Sequence, residues 1–138
     1  MPLPAPPRYT AVRPQHTARR TGIAMISLSL RVDIDDHGRI GPGKIRLLEQ
    51  IGALGSISAA GRSMNMSYKR AWALVDELNR CFGKPVVSTQ MGGRAGGGAA
   101  LTPFGSELVA HYRAIESKAE QAAGLHLNAL RAAAERSG

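Results

Sequence analysis

Apolar and polar residues alternate with a period of two near the start of the chain. The recurring apolar positions are Leu28, Leu30, Val32 and Ile34. This alternation is typical of a strand with one buried face, so we expect a strand over residues 28–35. The acidic residues that close this segment lead into His37-Gly38, where the sequence predicts a turn.

Helical periodicity replaces the alternation after this turn. Pro42-Gly43 opens a segment with an apolar stripe, and Gly55 ends it because glycine readily adopts the left-handed conformation that closes helices. Ser56 is a good N-cap for a short second helix that ends at Ser63. Small residues inside this helix permit a close approach to a neighbouring helix.

The third helical segment follows after a short turn. Asn65 lies in this turn and tolerates the left-handed conformation that tight turns require. Ser67 caps the helix, which we expect to reach about Phe82 with an apolar face and a polar face. Two helices joined by a turn of three or four residues, the second with cations in its first turn, are typical of a helix-turn-helix.

A hairpin and a long helix complete the predicted fold. Residues 86–90 are rich in β-branched side chains, and residues 99–101 can return as a partner strand across a glycine-rich loop. Thr102-Pro103 then starts a helix over about 103–134. Its apolar stripe comprises Phe104, Leu108, Tyr112, Ile115, Ala119, Ala123, Leu127, Leu130 and Ala134. The predicted fold is mainly α, a winged helix-turn-helix with a small β-hairpin wing and a long C-terminal helix.

The first 24 residues lie outside this predicted domain, which covers residues 25–138. Five of the eight prolines and four arginines occur there without an acid, so we expect a disordered, basic, Pro-rich tail. We do not expect Arg19-Arg20 to begin an export signal, because the apolar stretch that follows is short and shows no small-residue cleavage site. The alternative is that translation begins at Met25 and that the tail is not part of the native protein.

Composition narrows the partners of the domain. The 138 residues include 18 Lys and Arg against 10 Asp and Glu, which gives a net charge of +8. A protein this basic most often meets a polyanion, either nucleic acid or an anionic membrane surface. The longest apolar run is too short to span a bilayer. The single cysteine, Cys81, fits the reducing cytoplasm, where we expect the protein to act.

Candidate binding chemistry is concentrated in the first turn of the third helix. Ser67, Tyr68, Lys69 and Arg70 stand where free N–H groups suit a phosphate and where Lys or Arg can reach guanine edges. A solvated surface is the alternative interpretation. The helix dipole disfavours cations at this end, however, which favours a binding role. Trp72 is expected to pack in or beside the core.

Other chemistry is weakly supported. Arg94, in the glycine-rich loop, is either a minor-groove or phosphate contact or a mobile surface residue. The loop matches neither a P-loop nor a dinucleotide motif, so we expect no cofactor. Histidine and cysteine spacing indicates no metal site, and Cys81 is expected to be a small buried or peripheral apolar residue. Nucleophile motifs are missing, and the sequence therefore does not favour an enzyme.

Several of these motifs occur in the order of one known family. They are Ser67 to Trp72 (Ser-Tyr-Lys-Arg-Ala-Trp), the glycine-rich segment 92–98 and Leu101 to Gly105 (Leu-Thr-Pro-Phe-Gly). Over about residues 28–118 the chain resembles the N-terminal DNA-binding domain of ModE, a family of molybdate-responsive transcription regulators related to LysR-type winged helices. The resemblance implies that residues 67–70 begin the recognition helix and that Arg94 lies in the wing.

The resemblance also implies a function. We expect a transcription regulator that binds double-stranded DNA as a homodimer through Ser56, Ser67, Tyr68, Lys69, Arg70 and Arg94. Family members carry C-terminal molybdate-binding modules, for which 138 residues leave no space, so we do not expect molybdate responsiveness to come with the fold. The alternatives are a partner that forms a heterodimer with a full-length regulator and a non-specific architectural DNA binder.

Overall fold

Four helices and two short antiparallel strand pairs make up the protein in a computed structural model, which describes residues 25–90 and 98–136. In chain order the elements are β1 (Val32–Ile34), β2 (Gly38–Ile40), α1 (Pro42–Leu54), α2 (Ile57–Ser63), α3 (Tyr68–Phe82), β3 (Val87–Gln90), β4 (Gly98–Leu101) and α4 (Pro103–Arg136). The predicted fold class, mainly α with a hairpin and a long final helix, is confirmed.

The first strand is shorter than its sequence pattern predicts. Burial alternates from Leu28 to Ile34 as expected, but only Val32–Ile34 pair with a second strand, β2, which the sequence analysis missed. Before that point the carbonyl oxygen of Leu30 accepts a hydrogen bond of 2.7 Å from the Tyr112 hydroxyl on α4. Alternate residues from Leu28 to Ile34 therefore face inward, although a strand partner covers only the end of the segment.

The helix-turn-helix forms as the sequence predicts. The Ser56 and Ser67 side chains each accept a hydrogen bond from the backbone N–H three residues later, at 3.0 Å, and so cap α2 and α3. Asn65 adopts a positive φ of 58° in the turn between them. Gly61 faces this turn, where a Cβ would lie 3.3 Å from that of Ala71. A small residue at this position lets α2 and α3 pack closely.

The second hairpin lies between α3 and α4 in the chain and contacts the C-terminus of α1. β3 and β4 pair in antiparallel register from Val87↔Leu101 to Gln90↔Gly98. The Ala99 N–H of β4 also donates a 2.9 Å hydrogen bond to the carbonyl of Gly55, at the C-terminus of α1. The hairpin base therefore has a fixed position beside the helix-turn-helix. The predicted tail, residues 1–24, and Arg94 lie outside the described residues, and both remain predictions.

The core lies between α1, α3 and the beginning of α4. Its largest fully buried side chains are Ile45, Leu47, Leu48, Ile51, Val75, Leu78 and Val86. In α4 the buried residues are Gly105, Val109 and Tyr112, all within the first third of the helix. In the described ranges no helix is both long and apolar enough to cross a membrane.

Candidate nucleic-acid interface

The first turn of α3 presents its polar side chains to solvent. Ser67, Tyr68, Lys69 and Arg70 are all exposed, whereas Ala71, the next residue, is fully buried. The Ser67 hydroxyl oxygen is already an acceptor for the Arg70 N–H, so its capping role is satisfied within the helix. Burial of Ala71 fixes the rotation of the helix and leaves the four preceding side chains accessible around its first turn.

The cations on this surface are free of acidic partners. Other cations of the described chain form ion pairs, among them Arg80 with Asp76 at 3.3 Å and Lys44 with Glu77 at 3.4 Å. Neither Lys69 nor Arg70 is in an ion pair with any described acid. An exposed cation without a partner keeps its full charge available to an incoming anion.

The charge distribution along the sequence strengthens this field. No Asp or Glu occurs from Gln50 to Val75, a segment that contains α2, the turn and the first half of α3 together with three cations. Arg62 is one of these and donates to the Ser58 hydroxyl at 3.2 Å. The helix-turn-helix is therefore locally positive, and it carries in addition the partial positive charge of the α3 N-terminus.

An aromatic pair lies beside the cations. Tyr68 is 53% exposed, and its hydroxyl oxygen accepts a 2.6 Å hydrogen bond from the indole Nε1–H of Trp72. Trp72 is half-buried against the core, in agreement with its predicted packing role. The sequence analysis missed the pair, although a spacing of four residues places two side chains together on one helix face.

Ser56 lies at the start of α2, apart from the first turn of α3. Its half-buried side chain accepts from the Ala59 N–H and caps the helix. The carbonyl of the neighbouring Gly55 accepts the hydrogen bond from the Ala99 N–H in β4. The structure therefore brings Ser56 close to the base of the hairpin, while Arg94 belongs to the part that is not described.

Catalytic or metal chemistry finds little support in the remaining side chains. Within residues 25–90 and 98–136, no group of three or more His, Cys, Asp or Glu could hold a metal ion. Cys81 is buried, as predicted, and its thiol donates to the His37 carbonyl at 3.2 Å. The accessible surface of α3 is therefore the strongest candidate site, and its chemistry suits an anion.

Comparison with known proteins identifies relatives but no matching family model. The chain is 51% identical to the molybdenum-pterin-binding protein MopB of Rhodobacter capsulatus over 79 residues, 57% of this chain and 29% of MopB. It is 40% identical to the molybdenum transport protein ModE of Azotobacter vinelandii over 93 residues, 67% of this chain and 34% of that protein.

A third relative is described by its activity. The DNA-binding transcriptional dual regulator ModE of Escherichia coli K12 is 39% identical over 71 residues, 51% of this chain and 27% of the regulator. The chain thus spans about a third of the length of the curated relatives that it matches. The predicted resemblance is confirmed: the chain is ModE-like, a homologue of regulatory and molybdenum-binding proteins over the part of them that it spans.

Proposed function

We propose that this protein is a sequence-specific DNA-binding regulator of transcription. The observation that carries the proposal is the pair of exposed, unpaired cations, Lys69 and Arg70, on the first turn of α3, within a segment from Gln50 to Val75 that contains no acid. Duplex DNA is a dense polyanion, and its major groove admits an α-helix. Relatives described as transcriptional regulators support the same conclusion.

In this proposal α3 is the recognition helix. Lys69 and Arg70 contact phosphates or guanine edges in the major groove, and Ser67 and Tyr68 contribute beside them. Ser56, at the N-terminus of α2, and Arg94, in the wing, would contact the flanking backbone. Phosphate contacts set the position of the protein on the duplex, and base contacts give sequence preference.

We further propose that the protein acts as a homodimer in the cytoplasm. Beyond Tyr112, α4 continues for 24 residues to Arg136 without a buried apolar residue, and an apolar stripe runs along this part. A symmetric dimer would bind a pseudo-palindrome whose half-sites lie about one helical turn, or a multiple of it, apart. Relatives with molybdenum in their names suggest target genes connected with that metal.

Selection from a pool of random duplexes is the direct test of the proposal. We expect wild type to enrich one pseudo-palindromic sequence and to bind it with an affinity that falls steeply with salt. Lys69→Ala and Arg70→Ala should each lower that affinity by about 1–3 kcal/mol, because each removes a phosphate or base contact. Titration of a labelled duplex, followed by fluorescence anisotropy at several salt concentrations, gives both quantities.

Lys118→Ala is the matched control, since Lys118 is an exposed cation on α4 that no ion pair engages within the described chain. It removes the same charge away from α3 and should leave binding unchanged. Equal losses for Lys69→Ala and Lys118→Ala would reduce the interaction to net charge and favour an architectural binder. A mixed dimer with a full-length regulator that lacks DNA affinity would favour the interaction-partner alternative.

A further inference from the structure

The hydrogen bond between Trp72 and Tyr68 has a fixed direction. An indole N–H can only donate, so the Tyr68 oxygen is the acceptor in the 2.6 Å contact. A phenol hydroxyl carries one proton, and this proton must then point elsewhere. Within the described residues, the Tyr68 side chain makes one hydrogen bond, the one from Trp72. No described residue therefore accepts the Tyr68 hydroxyl proton. The Tyr68 hydroxyl remains available as a donor.

We propose that Trp72 is a positioning residue that holds the Tyr68 hydroxyl as a hydrogen-bond donor to an acceptor atom of duplex DNA. This inference rests on the proposed function and deepens it. Phosphate oxygens and the purine N7, guanine O6 and thymine O4 atoms of the major groove are all acceptors. In this arrangement Trp72 itself does not touch DNA, and its effect on binding passes through Tyr68.

The anchoring of Trp72 explains why it can act in this way. The Trp72 ring is half-buried, and its contacts with the core restrict its movement. Tyr68, one turn earlier, is 53% exposed. An exposed tyrosine without a partner would lose side-chain freedom on binding, at a cost in affinity. The hydrogen bond from the indole limits the orientations of the phenol in the free protein, so less side-chain freedom is lost when DNA binds.

The surroundings of Tyr68 favour an anionic or electron-rich acceptor. Lys69 and Arg70 are adjacent and unpaired, and the segment from Gln50 to Val75 contains no carboxylate that could accept the proton instead. A hydroxyl on the same helical turn as two unpaired cations can add a contact to a phosphate or to a nearby base edge. If an Asp or Glu lay beside Tyr68, its carboxylate could accept the hydroxyl proton, and the hydroxyl would not be available to DNA.

The test is a double-mutant cycle in the full chain, with affinity measured by fluorescence anisotropy. We expect Tyr68→Phe, which removes only the hydroxyl, to weaken binding of the selected duplex about fivefold to tenfold. Trp72→Phe should weaken it about threefold in the wild-type background and not at all in the Tyr68→Phe background. A purely structural role of Trp72 would instead lower affinity equally in both backgrounds, which would overturn its positioning role.

Intrinsic fluorescence supplies a second readout that does not need a tryptophan variant. Trp72 is the single tryptophan of the chain, so tryptophan emission reports on the surroundings of this indole, its N–H included. Tyr68→Phe should shift this emission in the free protein, because the N–H loses its acceptor. Identical emission spectra for wild type and Tyr68→Phe would show that the pair does not form in solution and would overturn the proposal.

Two duplexes distinguish the acceptors. Equal Tyr68→Phe losses on the selected duplex and on a scrambled duplex of the same composition would assign the acceptor to phosphate, and a loss confined to the selected duplex would assign it to a base. Unchanged affinity of Tyr68→Phe on both duplexes, together with weakened Lys69→Ala, would overturn this inference alone. Failure of wild type to bind any duplex would overturn the proposed function and this inference with it.

Discussion

Among the described glycines, Gly105, in the first turn of α4, is the one at which an added Cβ would come closest to another atom. A Cβ there would overlap the Val86 carbonyl oxygen and lie 3.0 Å from the carbonyl carbon of the same residue. Val86 cannot move away easily, because its carbonyl accepts from the Thr102 N–H at 3.0 Å and its N–H donates to Asn79 at 2.9 Å. Any side chain at position 105 must therefore displace the start of α4.

We expect Gly105→Ala to lower the free energy of unfolding by roughly 2–4 kcal/mol. The added methyl group would press against backbone atoms, which cannot move aside as a flexible side chain can. Gly43→Ala is the matched control, since Gly43 is also helical and a Cβ there would meet nothing within 4 Å. It should leave stability unchanged or raise it by up to about 1 kcal/mol. Urea denaturation measures both, and similar losses would contradict the steric explanation.

Predictability at the residue scale depends on how local the cause is. The caps of Ser56 and Ser67 and the positive φ of Asn65 follow from neighbouring residues, and the sequence predicts all three. The Tyr68–Trp72 hydrogen bond also depends on neighbouring residues, but the sequence analysis does not predict it. The close contact at Gly105 could not be predicted, because it depends on Val86, 19 positions earlier in the chain.

At the scale of elements, α1 and α4 are joined by a nearly buried ion cluster. Arg113 donates two hydrogen bonds of 2.9 Å to the Glu49 carboxylate and one of 2.7 Å to Glu116. The Arg113 and Glu49 side chains are only 11% and 15% exposed. The hydrogen bond to Glu49 is the main cause that raises the pKa of Arg113 above its usual value, so the guanidinium stays charged.

We expect Glu49→Ala to lower the free energy of unfolding by about 1–3 kcal/mol, because Arg113 would keep Glu116 but lose its bidentate partner in a poorly hydrated place. Asp76→Ala breaks the ion pair between Asp76 and Arg80, whose side chains are 57% and 68% exposed. This control should cost less than about 0.5 kcal/mol. Denaturant titration compares the two, and equal costs would mean that burial adds nothing to the cluster.

The elements show the same division between local and distant causes. Helices α1 to α3 match the predicted boundaries because their caps and apolar stripes are encoded in consecutive residues. β2 was missed because three residues carry no periodic signal, and its position depends on contacts such as that of the His37 carbonyl with Cys81, 44 positions away. Glu49 and Arg113 lie 64 positions apart, so consecutive residues do not reveal their ion pair either.

At the scale of the whole molecule, α4 is longer than the domain beneath it requires. Its 34 residues span about 51 Å, yet its buried residues end at Tyr112. The apolar positions beyond that point are Ile115, Ala119, Ala123, Leu127, Leu130 and Ala134. Spacings of four, four, four, three and four residues keep them on one side of the helix. A second copy of α4 is the partner that a symmetric dimer would place against this stripe.

Leu130 and Leu125 provide a matched pair for testing this dimer. Both are leucines exposed on α4, at 57% and 73%, but Leu125 lies about 140° around the helix from Leu130 and off the stripe. We expect Leu130→Asp to produce monomers in size-exclusion chromatography with light scattering and to weaken binding of the selected duplex more than tenfold, because two half-sites would no longer be bound together. Leu125→Asp should remain dimeric with unchanged affinity. Dissociation by both variants would indicate a general effect of charge on α4, and a dimer that survives Leu130→Asp would place the contact between copies elsewhere.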